Sequence, residues 1–160
     1  MHSETTEIKL FKKETEYALR ALVYIQRQNQ SGRRPGIAEI AGGIETPPSF
    51  TAKVLQRLVR MGLIESQKGK NGGFYFNPDK PDLPLKHVIS SVEGNGIFEN
   101  CGFGLKNCDS KNPCPLHETY APIRDAINEL VSSETIQSLT KKNKDGTDFW
   151  LSRNNSFSEG

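Results

Sequence analysis

Residues 36–76 read GIAEIAGGIETPPSFTAKVLQRLVRMGLIESQKGKNGGFYF, and the order of apolar periods in this stretch decides the fold. Ile37, Ile40 and Ala41 recur at helical steps, so Gly36 to Ala41 predicts a short helix. Gly42-Gly43 and Thr46-Pro47-Pro48 predict a turn after it. Ser49 is placed to cap a second helix with Val54, Leu55, Leu58 and Val59 as its inner stripe, and Gly62 is its stop. Ala52, Lys53, Gln56 and Arg57 fall on or beside the opposite face. Two β-type segments follow, Leu63 to Gln67 and Gly73 to Phe76, and Asn71-Gly72 between them is a hairpin signal.

Upstream, Tyr17, Ala18, Ala21, Leu22 and Ile25 predict a helix from Lys12 to Gln28. Helix, short helix, turn, helix and basic hairpin is the order of a winged helix-turn-helix, whose second motif helix enters the major groove while the hairpin lies along the backbone or minor groove. Downstream, Pro78 to Pro84 is a connector and Leu85 to Glu93 a short helix with Leu85, Val88, Ile89 and Val92 inward. From about His117 to Ser132, Tyr120, Ile123, Ile127, Leu130 and Val131 recur at helical spacing, with Pro122 read as part of the first turn. This helix has little of its own chain to cover its stripe, so the expectation is a two-fold dimer; packing on the first helix is the alternative. The expected fold is mainly α with a small β-hairpin wing, a winged helix-turn-helix plus a long dimerisation helix. Residues 9–80 form the DNA-binding domain, 81–140 the cysteine loop and dimerisation helix, and 141–160 a polar, disordered tail.

The net charge of +2 hides an asymmetry: residues 1–80 carry 13 Lys and Arg against 8 Asp and Glu, whereas residues 81–160 carry 8 against 11. Nucleic-acid contacts therefore belong to the first half. A hydrophobic share of 34% is low for a self-sufficient globule and fits polar tails and a core completed by a second copy. With no apolar signal segment before the first helix and no run of membrane-spanning length, the expected location is the cytoplasm, without membrane contact.

All three cysteines lie within fourteen residues, at Cys101, Cys108 and Cys114, and His117 follows the last by three. The loop joining them is rich in glycine, asparagine, aspartate and proline, so burial stabilises it little and a metal centre would fix it. An odd cysteine count in a reducing compartment argues against disulfides. A thiol enzyme with Cys114 as nucleophile and His117 as base leaves Cys101 and Cys108 without a role, so no enzyme is expected. Structural Cys3His zinc is the competing reading, but gaps of six and five residues suit an iron–sulfur cluster better than a zinc knuckle.

These features together resemble the Rrf-two family of bacterial regulators over roughly Lys9 to Thr140. The resemblance is carried by Glu16-Tyr17-Ala18-Leu19-Arg20-Ala21-Leu22, Ile37-Ala38-Glu39-Ile40-Ala41, Pro48-Ser49-Phe50 leading to Leu55 and Leu58, and Gly62-Leu63-Ile64. The wing Lys68-Gly69-Lys70-Asn71-Gly72-Gly73-Phe74, Val92-Glu93-Gly94 and the three cysteines complete it. It implies a homodimeric winged-helix regulator, a repressor in the favoured reading, whose affinity for promoter DNA depends on an iron–sulfur cluster near the dimer interface. In IscR-like members a histidine three residues after the third cysteine completes a 2Fe–2S centre; here that is His117, the favoured fourth ligand. In NsrR-like members an acidic residue before the first-helix tyrosine, given by the partner chain, completes a 4Fe–4S centre; here that is Glu16. Where IscR-like members have an acid on the recognition helix this chain has Ala52. The expected base-edge contacts are Ser49, Phe50, Thr51 and Lys53, and the expected phosphate contacts Lys53, Arg57, Lys68 and Lys70, with Asn71 at the wing tip.

Overall fold

Helix α1 (Lys13–Gln30) is the spine of the molecule, because Ala18 and Ala21 beside Leu22 and Ile25 let neighbouring helices approach its axis closely. The computed structural model describes residues 10–106, 109–142 and 149–152. After α1 come α2 (Ile37–Ile44), α3 (Pro48–Arg60), β1 (Glu65–Gln67), β2 (Gly73–Tyr75), α4 (Leu85–Glu93), α5 (Gly96–Glu99), α6 (His117–Ser133), α7 (Ile136–Lys142) and a 3-10 turn, Phe149–Ser152. The main core joins Leu22 and Ile25 to Ile40, Ile44, Leu55 and Leu58, all fully buried. Strands β1 and β2 pair antiparallel with Gln67 opposite Gly73, which leaves residues 68–72 as the wing loop. Asn71 there adopts φ 69°, a left-handed conformation that asparagine tolerates better than most residues.

Three local expectations fail, the first two for identifiable reasons. Helix α2 runs through Gly42 and Gly43 instead of ending before them: a Cβ at Gly43 would collide with the Tyr24 ring of α1, so that glycine serves close helix packing. Ser49 does not cap α3, because Pro48 already occupies the first turn, where its fixed φ and missing N–H cost nothing, and Pro47 is the flanking residue. Pro122 lies inside α6, not in its first turn.

The C-terminal half does not stand apart from the winged domain. Thr135 caps α7 reciprocally with Ser138: each backbone N–H donates to the other's hydroxyl at 2.8 Å. Helix α7 then returns to α1, where Arg27 Nη2 donates to the Thr140 carbonyl at 2.9 Å. A smaller cluster, Ile89, Phe98 and Val131 with Phe11 and Ile127, seats α6 on α4 and α5. Within the segment expected to be a disordered tail, Lys141 and Lys142 finish α7, and the Phe149–Ser152 turn buries Leu151 in the main core. The reason is that Leu151 closes an apolar gap beside α1 and α2 that a purely polar tail would leave wet. The remaining residues of that segment, and residues 1–9, lie outside the described residues.

Candidate functional site

The amphipathic pitch of α3 sorts its side chains into two faces. Val54, Leu55 and Leu58 are buried, while Ser49, Lys53, Gln56 and Arg60 are exposed at successive steps of four, three and four residues. These four make one outward stripe along the second motif helix. Gln56 and Arg60 face outward as the sequence pattern places them, although neither is among the expected base-edge or phosphate contacts. Phe50 is 37% exposed and meets Tyr17 edge to face, with ring centroids 5.2 Å apart. Arg20 stands over the same tyrosine ring at 4.9 Å, so cationic groups gather around the start of α3.

Two residues expected to touch DNA are engaged elsewhere. Thr51 is buried; its hydroxyl pairs with that of Thr46 at 2.6 Å and donates to the Pro47 carbonyl at 2.8 Å. It holds the start of α3 and cannot reach a base edge from there. Arg57 is a structural tie: Nη1 meets Glu14 of α1 at 2.8 Å, and Nη2 donates to the carbonyls of Val92 at 3.0 Å and Ser91 at 3.4 Å. The adjoining Glu93 carboxylate accepts the Lys12 N–H at 3.0 Å and the buried Thr15 hydroxyl at 2.6 Å. The recognition helix is thereby bonded to the last turn of α4, immediately before the segment that leads to the cysteines.

Lys68, Lys70 and Asn71 are exposed on the wing loop. Between α3 and the wing runs a groove of about 610 Å³ whose walls include Gln56, Arg60, Lys68 and Gly72. An outward helix face, a basic hairpin and a groove joining them form a surface of the kind that docks on duplex DNA.

Cys101 is buried and its backbone N–H donates to the Leu105 carbonyl at 3.1 Å, which curls the loop. Burial raises its thiol pKa, but backbone hydrogen bonds at Leu105 and Phe103 and one from the Cys114 side chain outweigh that and leave it below the ordinary thiol value. The His117 N–H donates to the Cys114 carbonyl at 3.0 Å, fixing the start of α6 over Cys114. Cys108 lies outside the described residues, and among those described no three His, Cys, Asp or Glu side chains gather as a metal-holding group. Glu16 lines a separate cavity of about 340 Å³ with Leu19, Arg20, Trp150 and Leu151.

A family model described as an iron-dependent transcriptional regulator, Rrf2, matches residues 11–142. The chain belongs to the Rrf2 family. It is 30% identical over 130 residues to protein aau3 of Rhizobium meliloti, covering 81% of this chain and 83% of that one. The HTH-type transcriptional regulator IscR of Photorhabdus laumondii is 25% identical over 123 residues, 77% of this chain and 74% of IscR. In fold, this Rrf2 protein is similar to CymR, the global cysteine regulator of B. subtilis, with TM-score 0.67 and 19% identity over 85% of this chain and 98% of CymR. It is also similar to T. potens IscR, with TM-score 0.66 and 16% identity over 89% and 92%. The winged-helix reading and the family agree: the chain is a DNA-binding transcriptional regulator, not an enzyme. Among the described residues no helix is long and apolar enough to cross a membrane.

Proposed function

We propose that this Rrf2 protein acts in the cytoplasm as a homodimeric repressor whose hold on promoter DNA is set by an iron–sulfur cluster at the 101–117 loop. The observation that carries the DNA half is the continuous outward surface of Ser49, Lys53, Gln56 and Arg60 with Lys68, Lys70 and Asn71 across the groove. Lys53, Arg60, Lys68 and Lys70 neutralise phosphates, and Ser49, Phe50, Lys53 and Gln56 face base edges. Dimerisation is supported by Leu116, Ile123 and Leu130, which recur every seven residues at the start and along α6 and are 40%, 56% and 54% exposed. Three large apolar side chains in one row on a helix call for a facing row, and a second copy supplies an identical one.

The donor chemistry supports a cluster: three thiols and an imidazole are ligands of the kind that iron–sulfur groups take. Cys101 is buried in the loop with its thiol below the ordinary value, and His117 begins α6 one turn beyond Cys114. Cys101, Cys108, Cys114 and His117 would hold a 2Fe–2S centre; Glu16 of a partner chain is the alternative fourth ligand, which would favour 4Fe–4S. Such a group, when bound, supplies sensitivity to iron–sulfur status, nitric oxide or redox state. The rest belongs to the protein. Ordering of the loop after Gly94 fixes the last turn of α4, whose Ser91 and Val92 carbonyls hold Arg57, and Arg57 holds α3 against Glu14. A change of ~1–3 kcal/mol in this coupling suffices for a switch.

Anaerobic isolation followed by metal and sulfide analysis and Mössbauer spectroscopy tests the reading. Iron with acid-labile sulfide is expected. Colourless protein with one tightly held zinc per chain would establish the structural Cys3His site instead. Spectra of His117→Ala and Glu16→Ala then decide the fourth ligand: the histidine variant should alter the spectrum, and the glutamate variant should leave it intact.

A further inference from the structure

The wing has a second side. Opposite the groove it shares with α3, the hairpin borders another of about 300 Å³, walled by Gly32, Arg33 and Arg34 from the α1–α2 corner and by Asn71 and Gly72. Gly72 lines both grooves, so the wing tip is the ridge between them.

The corner is locked to the wing. Asn29 Nδ2 donates to the Arg33 carbonyl at 2.8 Å, and Asn29 Oδ1 accepts the N–H of Phe76 at 2.9 Å. The Phe74 N–H donates to the Pro35 carbonyl at 2.9 Å. Gly73 passes so close to the Arg34 carbonyl that a Cβ there would collide with it. Corner and hairpin are therefore held together by hydrogen bonds and close backbone packing.

Within that body Arg34 is posed and its charge is unspent. Its guanidinium lies over the Tyr75 ring, 3.8 Å from the centroid, and Nη1 donates to the Gln67 side-chain oxygen. Both partners are neutral. Arg33 differs, since Nη2 pairs with Glu39 at 2.9 Å. The Tyr75 hydroxyl donates to Glu65 at 3.2 Å, which steadies the ring that carries Arg34. Stacking fixes the plane of an arginine while leaving N–H groups at its edge able to bond an anion.

We infer that the Arg34–Tyr75 stack is a DNA contact on the outer side of the wing, taking backbone phosphate of the duplex that flanks the bases read by α3. This rests on the DNA-reading role proposed above and extends it: the footprint of each protomer continues past the wing tip. Lys68 and Lys70 are exposed on the same wing loop whose Asn71 and Gly72 share a groove with Arg34, so a duplex held by the wing tip lies beside that arginine.

The test uses a duplex selected by the wild-type protein from a random library, prepared as the minimal core and with about eight further base pairs on each side, close to one helical turn. Wild type should bind the extended duplex more tightly than the core. Arg34→Gln should erase about three- to tenfold of affinity on the extended duplex alone and lower the log–log salt slope by about one per protomer, as removal of one phosphate partner requires. Tyr75→Leu, which frees the guanidinium without removing its charge, should forfeit part of the same gain. Circular dichroism and thermal unfolding confirm the fold of each variant. Unchanged affinity and slope for Arg34→Gln, while Lys53→Ala weakens binding, would overturn the inference, as would equal losses on core and extended duplexes. Failure of wild type to select any DNA would instead overturn the DNA-reading role itself.

Discussion

Side chains at the start and end of α3 decide what the helix can touch, and periodicity alone misplaces two of them. Lys53 and Arg57 are one turn apart and both polar, yet only Lys53 is free to meet a phosphate. Arg57 is held by groups 43 and 35 residues away in sequence, a long-range pairing that no local pattern reveals. Thr51 is misplaced because Thr46 and the Pro47 carbonyl draw its hydroxyl inward. Replacing Lys53 and Arg60 together by alanine should weaken DNA binding and lower the salt slope by about two per protomer, since each neutralised phosphate contributes ~0.9 to that slope. The effect is read by fluorescence anisotropy across a salt series; an unchanged slope would remove the outward α3 face from the interface. Thr15→Val should cost about 1–2 kcal/mol in urea unfolding, because a fully buried hydroxyl and its Glu93 acceptor part company while the side-chain shape is kept.

Among elements, α4 is legible to the residue, since Leu85 to Glu93 carries its apolar steps between Pro84 and Gly94, two unambiguous boundaries. Helix α2 reads too short from sequence because glycine signals a turn unless a partner such as Tyr24 needs the space. The return of α7 to α1 is not legible, since it depends on the junction where Glu134 ends α6. There Glu134 accepts hydrogen bonds from the Lys142 ammonium and from the Ser138 hydroxyl at 2.9 Å, and its carboxyl is held below the usual carboxylate value by Lys142 first and Ser138 second. A depressed carboxylate contributes stability that is present above the unfolded-state value, about 4.3, and lost as pH falls through the lower folded-state value. Thermal unfolding of Glu134→Gln should therefore match wild type at the acid end and fall below it near neutrality. A constant gap across the whole range would show that the charge is not what the junction uses.

At the scale of the whole molecule, the sequence discloses the winged architecture and the cysteine cluster, because both are written in short, contiguous patterns. It does not disclose that Leu151 returns to the core, nor that Arg57, Glu14, Thr15 and Glu93 bind the reading helix to the segment before the cysteines. That tie joins α3 and α1 to the end of α4 by hydrogen bonds between residues far apart in sequence. The proposed dimer face meets the same loop, since the apolar row begins with Leu116 and the side chains of Leu116 and Tyr120 lie against Gly102. Ile123→Asp with Leu130→Asp should yield monomers in sedimentation velocity, with the α1–α3 body still folded by circular dichroism; a persistent dimer would place the interface elsewhere.

Everything proposed for regulation turns on one metal group in the 101–117 loop governing DNA affinity through this tie. It is tested by the dissociation constant for the selected duplex, measured anaerobically on one preparation before and after stoichiometric nitric oxide, with iron and sulfide assayed in parallel. Iron and sulfide are expected at the outset, followed by a change in affinity of about 5- to 150-fold, the range of ordinary allosteric coupling, strongly reduced in Arg57→Gln. Equal affinity before and after treatment, in protein that does carry the cluster, would refute the coupling.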